Sequence, residues 1–149
     1  MLSLEKRAEE FAVERHKGQK YGDNEYVYHL RQVVENIKKR NQFHPLLSTL
    51  IAIAWLHDVL EDTDTEYSEL VSEFGTCVAF CVSQLSKSPE ISYKEYMERI
   101  VLTAPALARE VKICDTCANM VESIKSGNAK GLAKYPRQLS ILVTGVYYE

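Results

Sequence analysis

The sequence predicts an all-α fold, a single compact bundle of about seven to nine helices. Apolar residues recur three and four positions apart through most of the chain, the spacing of helices with one buried face. Valine and isoleucine are frequent, yet no sustained alternation bounded by turn residues marks a strand. Capping residues, prolines and glycines stand where the periodic runs begin and end. At 149 residues the chain is expected to form one domain spanning 1–149, long enough to bury a substantial core.

The first helix is expected from Leu4 to about Arg15, with Leu4, Ala8, Phe11 and Ala12 as its inner stripe. Lys17 to Asn24 is rich in turn formers and reads as a loop. A second helix turns Tyr26, His29, Val33 and Ile37 inward and ends on Lys38, Lys39 and Arg40, cations favoured at a helix C-terminus. His44-Pro45 opens the third, proline suiting a first turn, and that helix is expected to run on through Asp62. Thr63 and Glu66 have capping-box spacing for a fourth helix over Tyr67, Leu70, Val71 and Phe74. Gly75 interrupts it and Val78 to Leu85 resume, before a loop at Lys87-Ser88-Pro89-Glu90. Ser92 and Glu95 cap a helix through Met97 and Val101. Pro105 begins another that stops at Ser126-Gly127-Asn128, and a last one from Pro136 packs Leu139, Leu142, Val143 and Val146. No internal repeat, low-complexity tract or long linker divides the chain.

The net charge of −3 argues against a general nucleic-acid surface, which is usually basic. No apolar run approaches the ~20 residues of a membrane span. Met1 to Arg7 lacks the apolar core of a signal peptide, so a cytoplasmic location is expected. Cys77 and Cys81, with Cys114 and Cys117, could form a thiolate zinc site or redox disulfides. Both pairs fall within helical apolar patterns, which favours four free cysteines packed as small hydrophobes.

The chemistry concentrates in Trp55-Leu56-His57-Asp58-Val59-Leu60-Glu61-Asp62-Thr63. On a continuous helix His57 stacks over Glu61 and Asp58 over Asp62, a polar stripe ending a strongly apolar segment. Charged groups taken out of water are costly unless paired or bound to a cation. A divalent metal on His57 and Asp58, with Glu61 and Asp62 beside a water, accounts for the pattern. The bland alternative is a solvated, capped helix end. His29 on an inward face and Asp115 among valine and cysteine complete a candidate ligand set of two imidazoles and two carboxylates. Such a mixed set suits manganese, iron or zinc. His16, beside a loop, and His44, before proline, read as solvent-side residues.

These residues resemble a known family. His29, His57-Asp58 and Asp115 match the H…HD…D signature of the HD phosphohydrolase superfamily. Phe11-Ala12, His16-Lys17-Gly18-Gln19 and Tyr26-x-x-His29 resemble the opening of RelA/SpoT-type alarmone hydrolase domains and their small stand-alone relatives. His57 to Thr63 is similar to that family's H-D-x-x-E-D-T, and Val111-Lys112-Ile113-Cys114-Asp115 with Asn119 to its V-K-L-A-D-x-x-x-N. The resemblance spans roughly residues 4 to 122 and implies manganese-dependent removal of the 3′-pyrophosphate from guanosine tetra- or pentaphosphate, with iron or zinc as alternative metals. It further implies that His29, His57, Asp58 and Asp115 hold the metal, that Glu61 and Asp62 orient and deprotonate the attacking water, and that Asn119 contacts the nucleotide. Lys20, Lys87, Lys112 and Tyr135 are further candidate substrate contacts.

The chain departs from the family in the residues around that centre. Lys20 stands where an arginine stacks on the base, and lysine lacks the planar group for it. Asn24-Glu25-Tyr26 replaces E-P-Y, and Leu30 follows His29 in place of proline. Thr116 and Ala118 replace the arginine and histidine after Asp115, and Val121-Glu122 stands where a basic residue is common. Two other functions are therefore carried forward. One is metal-dependent hydrolysis of another phosphorylated nucleotide, and the other is a helical module that binds a nucleotide or partner without turnover.

Overall fold

A computed structural model describes residues 1–149. It contains nine helices and one two-stranded hairpin. In chain order these are α1 (Leu4–Arg15), β1 (Lys20–Tyr21), β2 (Asn24–Glu25), α2 (Tyr26–Arg40), α3 (Leu47–Leu56), α4 (Val59–Asp62), α5 (Tyr67–Phe74), α6 (Thr76–Leu85), α7 (Tyr93–Leu102), α8 (Ala106–Ser126) and α9 (Ala129–Thr144).

The bundle is built around α3. Every residue from Leu50 to Leu56 is buried, and a helix apolar on all sides has no face to turn to water. It therefore lies at the centre, with α1, α2, α6 and α8 packed against it. Ala8 and Ala12 let α1 approach closely, while Phe11 meets Phe74 edge-to-face at 5.3 Å between ring centres. Alpha-helical pairing of α8 with α9 closes the other side. No helix is long and apolar enough to cross a membrane.

Most expected boundaries hold, and the exceptions have local causes. The Lys17–Asn24 loop contains the β1–β2 hairpin, paired Lys20 to Glu25 and Tyr21 to Asn24. Gly22 has φ +60°, the positive value that a tight two-residue turn requires at its first central position. Pro45 lies in a turn ahead of α3. The helix after Thr63 is capped by Glu66 and Glu69 instead, because α5 begins only at Tyr67, and the Thr63 hydroxyl donates back to the Val59 carbonyl at 2.5 Å. The last helix begins at Ala129, capped by Asn128, whose side chain accepts from the Gly131 amide at 3.2 Å. Pro136 falls inside this helix on a solvent-exposed side, where water can serve the carbonyl that proline leaves unbonded. Its buried stripe is Gln138, Ile141 and Leu142; Val143 and Val146, expected to pack, are each 62% exposed. The four cysteines are free, so no disulfide forms.

Two contacts of α8 yield tests. A Cβ on Gly131 would lie 2.9 Å from the Ser123 Cβ, so the α8–α9 crossing depends on glycine there. Gly131→Ala gains about 1 kcal/mol of helix propensity, yet the overpacking is expected to cost about 1–3 kcal/mol. Urea denaturation should show a net loss in Gly131→Ala that disappears in a Ser123→Gly background. Arg40 of α2 grips Glu110 of α8 with two bonds, 2.9 and 3.0 Å. Burial alone would raise the Glu110 carboxyl, but bonds from Arg40 and Asn41 and the Arg40 charge lower it below 4.5. A depressed carboxyl stabilises fully above its ordinary value and loses that contribution as pH falls through the folded value. The stability gap between wild type and Glu110→Gln is expected to shrink below pH 4.5 and stay level at neutral pH.

Candidate metal centre and active site

The centre forms where the central helix breaks. The sequence reading ran one helix from α3 through Asp62; instead α3 ends at Leu56, and α4 begins at Val59. Asp58 has φ −105° and ψ 0°, outside regular helix values. Consecutive residues on an unbroken helix diverge by about 100°. The break lets His57 and Asp58 converge, with His57 Nε2 2.9 Å from Asp58 Oδ2. The Asp62 amide still bonds to the Asp58 carbonyl at 2.9 Å, so α4 hangs from the break by a single turn.

His29 from α2 and Asp115 from α8 meet this corner. His29 Nε2 lies 2.9 Å from Asp115 Oδ1, and His57 Nε2 lies 3.5 Å from the same oxygen. One potential ligand atom from each of His29, His57 and Asp115 falls within 4.8 Å of the others, and all three residues are buried. Asp58 stands against the group through His57. His57 Nδ1 donates to the Ala54 carbonyl at 2.7 Å, which leaves Nε2 as the nitrogen facing the cluster. That Nε2 is buried and has no aligned hydrogen-bond partner, though carboxylate oxygens lie close. Donor atoms converging on a shared point, with a carbonyl fixing the ring behind them, fit a divalent cation.

The electrostatics agree with that fit. Burial alone would lower the His57 pKa, but the charges of Asp58 and Asp115 raise it well above the ordinary imidazole value. Burial would raise Asp58, yet the His57 charge and bond hold it down at about 2. Burial also works against the Asp115 carboxylate, and Lys112 and His57 overcome it, holding its pKa well below the ordinary value. A compact set of buried carboxylates thus draws positive charge, and a metal supplies it where a proton otherwise would. Lys112 contributes directly, its Nζ 3.1 Å from Asp115 Oδ2.

Other side chains hold the ligands in place. The Asn119 amide nitrogen donates to Asp115 Oδ1 at 3.1 Å, and its oxygen accepts from the Tyr21 hydroxyl at 2.6 Å. The Tyr21 ring stacks on His29 with 4.5 Å between centres, steadying an imidazole whose Nδ1 has no partner. The Tyr26 hydroxyl donates to Asp58 Oδ2 at 2.5 Å and lies 3.3 Å from Asp62 Oδ2. Glu61 and Asp62 are exposed at the end of α4, and Glu61 Oε1 accepts from the Lys87 amide at 2.6 Å. Burial and the Asp58 charge raise the pKa of both carboxyls, which makes each a better proton acceptor than an ordinary carboxylate.

A cavity of about 350 Å³ opens beside the cluster, lined by Tyr21, Asn24, Asn119, Glu122, Ser123 and Tyr135 among others. Asn119 and Tyr135 both line it, and Tyr21 and Asn119 connect it to the cluster. Lys20 does not line it; it is exposed on β1 beside a separate recess. Lys87 meets Glu61 through its backbone, and Lys112 is committed to Asp115. His16, read from sequence as solvent-side, is buried at 3% exposure and stacked on Tyr26 at 4.6 Å. Its tyrosine partner and the Gln19 three residues on were the signals available in the sequence. Tyr21 carries no signal in the sequence, because the β1–β2 hairpin that aims it has the composition of a loop.

No family model matches the chain. It is 40% identical over 104 residues to a guanosine-3′,5′-bis(diphosphate) 3′-pyrophosphohydrolase of Aquifex aeolicus, matching 66% of this chain and 14% of that protein. It is 31% identical over 106 residues to the enzyme of that name, MESH1, from Danio rerio, matching 69% of this chain and 58% of that protein. The chain thus spans 14% and 58% of the two relatives' lengths. A solved metazoan orthologue of SpoT, described as hydrolysing ppGpp, shares the fold with a TM-score of 0.78 at 18% identity, over 97% of this chain and 86% of that one. By sequence and fold the chain belongs to the HD phosphohydrolase superfamily, in its alarmone-hydrolase branch.

Proposed function

We propose that the chain, as one hydrolase domain over residues 1–149, removes the 3′-pyrophosphate from guanosine tetra- or pentaphosphate in the cytoplasm, with manganese as its metal. The observation carrying this reading is the convergence of His29, His57 and Asp115, with Asp58 against them and Glu61 and Asp62 one turn on. The relatives named for this activity support the choice of substrate.

His29, His57, Asp58 and Asp115 would hold the cation, with Tyr26 bonded to Asp58 from outside the cluster. Bound there, a divalent cation lowers the pKa of water and neutralises phosphoryl oxygens. Glu61 and Asp62 receive the proton of the attacking water, as their raised pKa values suit them to do. Lys112 holds the Asp115 carboxylate in register and places a fixed positive charge beside the reacting phosphate. Asn119, tied at both ends, orients the nucleotide from the cavity side. The water oxygen bonds to phosphorus as the bond to the ribose O3′ breaks and O3′ takes up a proton, leaving pyrophosphate and GDP from the tetraphosphate or GTP from the pentaphosphate.

One feature favours a second reading, hydrolysis of another phosphorylated nucleotide: Lys20 replaces the base-stacking arginine and lines a recess separate from the 350 Å³ cavity. A chromatographic product panel on the manganese-loaded protein separates the readings. Pyrophosphate and GDP from guanosine tetraphosphate are expected. Inorganic phosphate from a different nucleotide would establish the second reading, and silence across the panel would leave a binding module. Asp58→Ala is expected to abolish manganese binding by calorimetry. Glu61→Gln should bind manganese as wild type does yet turn over at least ~100-fold more slowly; unimpaired turnover would remove Glu61 from the proton-accepting role.

A further inference from the structure

We propose that His16, Gln19 and Tyr26 form a positioning clamp that fixes Asp62 relative to Asp58, and that this clamp sets the chemical rate without governing capture of cation or nucleotide. The inference rests on the hydrolytic reading above and extends it to residues that touch neither metal nor substrate chemistry directly.

The need for a clamp follows from α4. It has four residues and ends at Asp62, with both carboxylates at its exposed end. A single turn is marginal by itself, since one or two backbone bonds do not repay the ordering of so few residues. Ties from elsewhere must hold Asp62, and the structure supplies them to both its carbonyl and its carboxylate. The Gln19 amide nitrogen donates to the Asp62 carbonyl at 2.7 Å. The Tyr26 hydroxyl spans Asp58 Oδ2 at 2.5 Å and Asp62 Oδ2 at 3.3 Å, joining a ligand carboxylate to a proton-accepting one.

His16 locks both ties. Because the Gln19 nitrogen is used on Asp62, its oxygen is the atom 2.8 Å from His16 Nδ1. His16 must therefore carry its proton on Nδ1 and donate. The same ring lies flat on Tyr26, 4.6 Å between centres and 24° from parallel, so it sets the tilt of the phenol as well. His16 Nε2 is buried without a partner. A core residue selected only for packing would avoid that penalty; the Nδ1 donation is what an apolar side chain could not provide.

The test combines three variants with readouts beyond turnover. Tyr26→Phe keeps the ring and removes the hydroxyl. His16→Leu keeps volume and removes the donation, while His16→Asn restores an amide donor near the Nδ1 position. In Tyr26→Phe and His16→Leu, kcat is expected to fall about 10- to 100-fold, the scale of a misplaced catalytic group. For His16→Leu, which leaves every bond to Asp58 in place, KM and the manganese Kd should stay within about threefold, and His16→Asn should recover part of the loss. Hydrogen exchange is read in parallel on the Asp62 and Thr63 amides of metal-free protein. His16→Leu should speed it at least ~10-fold there, while core amides of α3 exchange unchanged. In His16→Leu, a loss carried by KM or by manganese affinity, or unchanged exchange at Asp62, overturns the clamp. Wild-type silence on every nucleotide would overturn the hydrolytic reading alone, because the exchange measurement judges the clamp without turnover.

Discussion

Two aspartates placed in the interior of a helical bundle are the constraint around which this protein is arranged. Asp115 is buried with His29 and His57, and the part-buried Asp58 joins them, so water compensates little of their charge. Such carboxylates must be answered by fixed donors, by protons or by a cation. The chain provides some of that answer permanently: Lys112 and Asn119 on Asp115, and Tyr26 on Asp58. What remains is a concentrated negative demand with two imidazole nitrogens aimed at it, and that residue of uncompensated charge is the functional resource.

The backbone delivers this arrangement through a defect. The apolar helix α3 is long enough to be driven to the centre, and its regularity stops at His57–Asp58, where the chemistry starts. A continuous helix would have sent those two side chains to different faces. The Ala54 carbonyl, still within the last helical turn, then anchors His57 from behind. The hydrophobic driving force and the geometry of the candidate centre meet at one peptide plane, so packing of α3 and orientation of His57 and Asp58 are not independent.

Much of this was legible in the sequence because helical period and caps are local signals. The bounds of α1, α2 and α8 and the Ser92–Glu95 cap follow directly from residue spacing. The candidate ligands stand out because histidine and aspartate are conspicuous among valine, alanine and cysteine. The misses have local and long-range causes. Thr63 is extended and α5 starts only after Glu66, which spacing alone does not reveal. Pro136 is tolerated because Asn128 starts α9 earlier and the proline falls on the wet side. His16 is polar and beside a loop, yet the β1–β2 hairpin and α2 fold over it, and Tyr21 reaches Asn119 across 98 residues of sequence.

That last bond has a bearing on how the molecule comes together over time. The centre draws on the hairpin and α2 near the start, the α3–α4 corner in the middle and α8 near the end, so no early local segment can contain it. Pairings of such long sequence separation close late, after loop entropy has been overcome. The cation site is accordingly absent from partly folded chains, and a metal that binds only the finished state shifts the folding equilibrium by mass action. In a cell, the abundance of active protein would then track the supply of free metal during synthesis as well as during turnover.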